Sequence, residues 1–240
     1  MWINSRKRTK ITRWLQRRSP SRRDVLAALL GALLLYAGIR TIDHFRGNEV
    51  PLRPQTARTT ISWLPPTVKH WEPIIDTMSA RYDIDPNLIA IIMTMESGGN
   101  PKASSYAGAK GLMQVTAPTA RDIAVKFVKQ PVKTYNLEDP TTNIEFGTAY
   151  LAHLRNTFGD KTQSPSWNAT VELIAAGYNG GPGAAASVAK GTGLRDMQTV
   201  SYARDAFNMW RERHAESSPT FLRWQDRGGS NLIRSAQEIK

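Results

Sequence analysis

The chain contains no cysteine, which excludes a disulfide framework, thiolate metal ligands and a thiol nucleophile. Histidine is nearly as scarce. His44, His70, His153 and His214 stand far apart, without the short spacings of a metal site, so neither a metal nor a cofactor is expected. Acidic residues are missing altogether from residues 1–23, where Arg6, Lys7, Arg8, Lys10, Arg13, Arg17, Arg18, Arg22 and Arg23 collect. The whole chain carries 32 basic and 20 acidic groups, a formal +12. Setting those nine aside leaves 23 against 20, a balance of only +3. The basicity belongs to a tail, so it is not the footprint of a nucleic-acid-reading domain. Strand-like alternation of apolar and polar residues is almost absent, which leaves a mainly α chain.

Long apolar runs are lacking except at residues 25–39, V-L-A-A-L-L-G-A-L-L-L-Y-A-G-I. A helix of that length spans about 22 Å, short of a hydrocarbon core of roughly 30 Å. Snorkelling by Arg40 and interfacial placement of Ile42 and Phe45 extend it. The basic flank predicts that its front end stays in the cytoplasm and the remainder lies outside. The expected order is a basic cytoplasmic tail (1–23), a membrane anchor (24–45), a proline-bearing linker (46–66), a catalytic domain (67–214) and a polar, loosely ordered tail (215–240). Phe221, Leu222 and Trp224 are the tail residues suited to dock back. A removable signal peptide is the alternative to the anchor, but no A-x-A-like cleavage site follows. S-R-R-D-V-L at residues 21–26 resembles a twin-arginine export signal; extra positive-inside charge explains it equally well.

Beyond residue 67 the periodicity is helical. Asp85 then Pro86 form an N-cap and first-turn proline. The segment they open is apolar on nearly every face: Leu88, Ile89, Ala90, Ile91, Ile92, Met93 and Met95. A helix hydrophobic all round is a buried one, and Gly98 and Gly99 stop it. Further helices are marked by Ile144, Leu151 and Leu154, by Val171, Ile174 and Tyr178, and by Val200, Ala203, Phe207 and Trp210.

Glu96 is the odd residue in this pattern, a carboxyl in the last turn of the most apolar helix. Burial and the negative end of the helix dipole both disfavour its charge. A carboxyl kept protonated near neutrality is what a general acid for glycosidic cleavage requires. A helix-end glutamate pointing to solvent is the plainer reading of the position alone.

The blocks around it decide between the two. E-S-G-G-N-P (residues 96–101) leads into S-Y-A-G-A-K-G-L-M-Q (105–114), and A-G-Y-N-G-G-P-G (176–183) comes much later. In that order and spacing they resemble the soluble lytic transglycosylase family, whose pattern is E-S, S-x-x-G-A-x-G-L-M-Q and A-Y-N-x-G-P. Asn143, Gly147, Tyr150 and Leu151 match its N-x-x-x-G-x-x-Y-L helix, and Tyr202 matches a tyrosine on the last helix. The chain departs from the pattern at Gly177 and Gly180 and in placing Pro118 one position late.

The resemblance implies a lysozyme-like catalytic domain acting on peptidoglycan glycan strands, with Glu96 as catalytic acid and base. It implies that Ser105 hydrogen-bonds near Glu96, and that Gln114, Tyr178, Asn179 and Tyr202 bind substrate. Met113 reads as core packing. The implied reaction uses one carboxyl and closes a 1,6-anhydro ring on N-acetylmuramic acid, without water as nucleophile. Asp122, Glu138, Asp139 and Glu145 lie outside the matched blocks and read as solvated groups. A lysozyme-like hydrolase using water and an inactive wall-binding scaffold remain the alternatives.

Overall fold

The computed structural model describes residues 58–129, 135–159 and 167–239, without the side chains of residues 167–169. The basic tail, the apolar run at 24–45 and the front of the linker lie outside the described residues. No helix among the described residues is long and apolar enough to cross a membrane.

The described chain is helical: α1 (Pro66–Lys69), α2 (Glu72–Tyr82), α3 (Pro86–Ser97), α4 (Ala117–Ile123), α5 (Pro140–Phe158), α6 (Trp167–Gly180), α7 (Pro182–Lys190), α8 (Met197–Arg211), α9 (Pro219–Trp224) and α10 (Ser230–Gln237). A π-helical turn, Ala124–Val128, extends α4. Two isolated bridges, Ser104 with Lys110 and Lys110 with Val115, shape the loop between α3 and α4.

The central element is α3. Asp85 caps it by accepting the Asn87 N–H at 2.9 Å, and Pro86 occupies its first turn. Every residue from Pro86 to Ser97 is buried except Glu96. Burying each of the five large aliphatics from Leu88 to Met93 is worth roughly 1.5–3 kcal/mol, so the helix carrying Glu96 is firmly seated. Gly98 ends it at φ +63°, the left-handed region. A Cβ there would lie 2.6 Å from the Leu232 carbonyl carbon, so glycine is required by space as well as by backbone angle.

Around α3, helix α5 packs on α2 and α6, while α6 packs against α7 and α8. Asp139 and Asp196 cap α5 and α8 by accepting N–H groups three residues on. Close approach comes from small residues. A Cβ on Gly147 would strike the Met113 side chain, which is fully buried, as expected. A Cβ on Gly177 would strike Leu154 and Ala185. Trp210 Nε1 donates to the Asp85 Oδ2 at 2.8 Å, tying the end of α8 to the start of α3.

Two expected boundaries differ. Residues 58–66 are not spacer. Ile61 and Leu64 are buried, the Thr60 N–H donates to Asn87 Oδ1 at 2.8 Å, and Trp63 Nε1 donates to the Glu212 carbonyl. Nor is the segment after residue 215 a loose tail. Ser218 caps α9, and Phe221 is buried between Trp63 (ring centroids 5.2 Å apart) and Trp224 (5.8 Å). Ile233 and Ala236 of α10 are buried, and Asn100 Nδ2 donates to Ser235 Oγ at 3.1 Å. Leu222 stays exposed. These helices are short and polar on their outer sides, so few apolar residues announce them.

Candidate active site

Three elements bring the titratable groups together: the last turn of α3, the end of α6 and the middle of α8. Glu96 keeps part of its surface open while its carboxyl is desolvated. Burial raises its pKa from an ordinary 4.5 to about 7, against a smaller opposing effect of the Tyr202 hydroxyl. That hydroxyl donates to Glu96 Oε1 at 2.6 Å. Hydrogen bonding to the charged form moderates a rise that burial alone would carry further. The Tyr178 and Tyr202 hydroxyls are themselves pushed well above 10, first by burial and then by the neighbouring Glu96 charge. Both phenols therefore stay protonated and act as donors around Glu96. The Tyr178 hydroxyl donates to the Met113 carbonyl at 2.7 Å, joining α6 to the loop that precedes α4.

That loop is built as a rigid wall. Ser97, next to Glu96, donates to the Leu112 carbonyl at 2.6 Å and accepts the Gly99 N–H at 3.1 Å. Asn143 of α5 accepts the Met113 N–H at 2.7 Å and donates to the carbonyls of Lys110 (2.7 Å) and Leu137 (2.8 Å). A Cβ on Gly111 would lie 2.4 Å from the Asn143 amide nitrogen. One buried amide thus satisfies three backbone groups and sets the height of the loop.

Of the residues expected to bind substrate, Tyr178 and Tyr202 stand with Glu96. Gln114 follows Met113 in a left-handed conformation (φ +48°), with Nε2 donating to the Gly111 carbonyl at 3.0 Å. Such a backbone is uncommon for a residue other than glycine. Ser105 is exposed, and its hydroxyl accepts the Ala109 N–H at 3.1 Å within the turn. Asn179 accepts from the Thr199 hydroxyl at 3.1 Å, at the start of α8. The hydrogen bonds of Gln114, Ser105 and Asn179 therefore run to the loop and to α8, whereas Tyr202 binds Glu96 directly.

The other acids are engaged elsewhere. Glu145 departs from the expected solvated role: it is buried and holds Arg81 Nη1 at 2.6 Å and the Tyr82 hydroxyl at 2.9 Å. Asp139 caps α5, Glu138 faces Lys110 at 3.5 Å, and Asp122 faces Lys126 at 3.6 Å. Burial and one tyrosine account for the Glu96 shift, with no acidic neighbour contributing among the described residues. No group of residues suited to hold a metal ion is found among them either. Sequence reasoning missed Ser97 and Asn143 as builders of the site. Both stand in the matched blocks, but only the fold reveals which backbone groups they satisfy.

Residues 73–200, more than half of the chain, match the family model described as "Transglycosylase SLT domain". Membrane-bound lytic murein transglycosylase C of Actinobacillus pleuropneumoniae serotype 5b is 42% identical over 123 residues, 50% of this chain and 33% of the relative. The protein of that name from Haemophilus ducreyi is 45% identical over 119 residues, covering 48% and 32%. The matched region thus spans about a third of the length of these curated relatives. Among solved structures, a lytic transglycosylase Slt from Pseudomonas aeruginosa superposes with a TM-score of 0.47 at 23% identity, covering 62% of this chain and 25% of that one.

Proposed function

The chain belongs to the transglycosylase SLT domain family, and on that premise we propose that it is a peptidoglycan lytic transglycosylase cleaving the β-1,4 bond between N-acetylmuramic acid and N-acetylglucosamine. The observation that carries this reading is the desolvated carboxyl of Glu96, with a pKa of about 7 and two protonated tyrosines beside it.

Near neutrality a large fraction of Glu96 is protonated. It donates that proton to the glycosidic oxygen as the bond to muramic C1 breaks, and the N-acetylglucosamine side leaves as an alcohol. The substrate's own N-acetyl group offsets the charge developing at C1. Glu96, now ionised and hydrogen-bonded by Tyr202, takes the proton of the muramic C6 hydroxyl, whose oxygen closes on C1. The product is a 1,6-anhydro sugar, and no water is consumed. Ser105, Gln114, Tyr178 and Asn179 bind the glycan beside Glu96, with Tyr202 orienting the carboxyl.

Hydrolysis in its common form requires a second carboxylate, about 5–5.5 Å away for retention or 6.5–9.5 Å away for inversion. Asp122, Glu138, Asp139 and Glu145 each have a partner of their own, which favours the anhydro route. Retention of Glu96 in a pKa-shifting site argues against an inert scaffold. The domain acts outside the cytoplasmic membrane, tethered through residues 24–45 and separated from it by the chain up to residue 57. The experiment is digestion of purified sacculi by the full chain and by Glu96→Gln. Anhydro-muropeptides from the first and none from the second support the reading, and an equally active variant sinks it.

A further inference from the structure

A cavity of about 470 Å³ lies beside the turn that follows the catalytic helix, between α1 and α10. None of Glu96, Ser105, Gln114, Tyr178, Asn179 and Tyr202 lines it. Gly99 and Pro101 form one wall, Pro66, Thr67, His70 and Trp71 a second, and Ala236, Gln237 and Ile239 a third. Apart from Gly99 and Pro101, every lining residue falls outside residues 73–200, the part that matches the family model. The pocket is therefore built by this chain's flanks rather than by the catalytic cleft. Its walls are tied together. The Thr67 hydroxyl donates to the Gly98 carbonyl at 2.6 Å, Trp71 Nε1 donates to the Gly99 carbonyl at 3.1 Å, and Asn100 Nδ2 donates to Ser235 Oγ at 3.1 Å. A Cβ on Gly99 would lie 2.5 Å from the Thr67 carbonyl oxygen, so α1 sits directly against the turn. The space is thus preformed, and its volume is within the range of about 300–1,000 Å³ usual for small-ligand sites.

The lining selects its occupant. It holds no lysine, arginine, aspartate or glutamate, so a charged ligand would lose hydration there without gaining a counter-ion. A wholly apolar ligand would cover the Gln237 amide, the His70 ring nitrogens and the Thr67 hydroxyl without replacing their water. Rings and aliphatic groups supply the rest of the surface. Trp71 is half-buried, with its N–H already committed to Gly99, and His70 stands at 86° to it with ring centroids 4.7 Å apart. Pro66, Pro101, Ala236 and Ile239 complete the apolar part. A pyranose ring has the matching chemistry: C–H faces that lie on rings, and a rim of neutral hydroxyl and amide groups. Of the two sugars in the glycan strand, N-acetylglucosamine is the uncharged one, whereas N-acetylmuramic acid carries a carboxylate or the peptide built on it. Resting on the glycan-strand reading above, we propose that this pocket is a second glycan-binding site, outside the cleft. It holds an N-acetylglucosamine unit with its ring against Trp71 and its polar rim on Gln237 and His70. A long strand attached at both places has a raised effective concentration at Glu96. A short fragment that cannot reach both gains nothing.

The test uses the full chain with Glu96→Gln and a tetramer of N-acetylglucosamine, an uncharged probe without peptide. Two tetramers per chain are expected, one in the cleft and one in this pocket. His70→Ala combined with Gln237→Ala, both at exposed positions, should weaken the second on the order of tenfold and leave the first unchanged. The Trp71 indole N–H resonance, assigned by its loss in Trp71→Phe, should shift as the second tetramer binds. In the chain that keeps Glu96, the same pair of substitutions should slow the digestion of sacculi and leave cleavage of a short soluble glycan unchanged. One tetramer per chain overturns the proposal, as does a second tetramer held equally by the substituted chain. Equal slowing on sacculi and on the short glycan also overturns it. So does a Trp71 signal that answers to a proline-rich peptide and not to the sugar, which would give the pocket a protein partner. Whether the products are 1,6-anhydro sugars is scored separately, so failure here and failure of the transglycosylase reading give different results.

Discussion

Replacing Glu96 by Gln should inactivate the protein and, at neutral pH, make it more stable. The folded pKa is about 7 against an ordinary 4.5. Below pH 4.5 the carboxyl is neutral in folded and unfolded chains, and its burial carries no ionisation penalty. Between 4.5 and 7 the unfolded chain ionises while the folded one holds its proton, so stability falls as pH rises through this window and levels off above it. At about 1.36 kcal/mol per pKa unit the full loss is about 3 kcal/mol, and the partial exposure of Glu96 trims it to about 2–3 kcal/mol. Gln keeps the shape and still accepts from the Tyr202 hydroxyl, but it has no charge to desolvate. Thermal melts of both proteins at pH 4 and pH 7.5 check this. The variant should melt higher by roughly 4–12 °C at pH 7.5, at 2–4 °C per kcal/mol for a chain of this size, and alike at pH 4. Equal melting temperatures at both pH values would refute the claim that the fold itself holds the proton on Glu96.

Tyr202→Phe removes the hydroxyl that favours the Glu96 charge, so the alkaline limb of the pH–kcat/KM profile should move upward by about a unit while activity falls; an unmoved limb would separate Tyr202 from the catalytic proton. Asn143→Ala leaves the Met113 N–H and the Lys110 and Leu137 carbonyls without their partner, and at about 1–3 kcal/mol per stranded group denaturant midpoints should drop sharply. Ending the chain after residue 216 removes buried Phe221, Ile233 and Ala236 and should lower stability by several kcal/mol, about 3–6 kcal/mol for the first two alone. A melting temperature equal to that of the full chain would return this segment to the status of a tail.

What could be read in advance follows from how locally each feature is determined. The start, burial and end of α3 are written in consecutive residues, from Asp85 and Pro86 through the apolar run to Gly98, and the structure follows them. The perturbation of Glu96 was legible because a carboxyl in the last turn of a buried helix is desolvated, although the position alone also allowed a solvent-facing glutamate and the matched blocks were needed to choose. Its tyrosine neighbours came through the resemblance, since Tyr202 lies over a hundred residues away in sequence and no local pattern links it to Glu96. The last helices were missed for a related reason. Phe221, which the sequence marked as able to dock, finds Trp63 far back in the chain, whereas Ile233 and Ala236 are buried in a segment that looks polar on its own. Glu145 looked solvated because the Arg81 and Tyr82 that satisfy it lie on a different helix.

In the proposed mechanism one carboxyl, Glu96, cleaves the glycan by closing a ring rather than by adding water. Mass analysis of the soluble products from sacculi digested with the full chain distinguishes the two routes. Muropeptides ending in 1,6-anhydro-N-acetylmuramic acid, one water lighter than hydrolytic products, are expected, and they should disappear with Glu96→Gln. A dominant yield of products with a reducing muramic end would contradict it and require a second group that activates water.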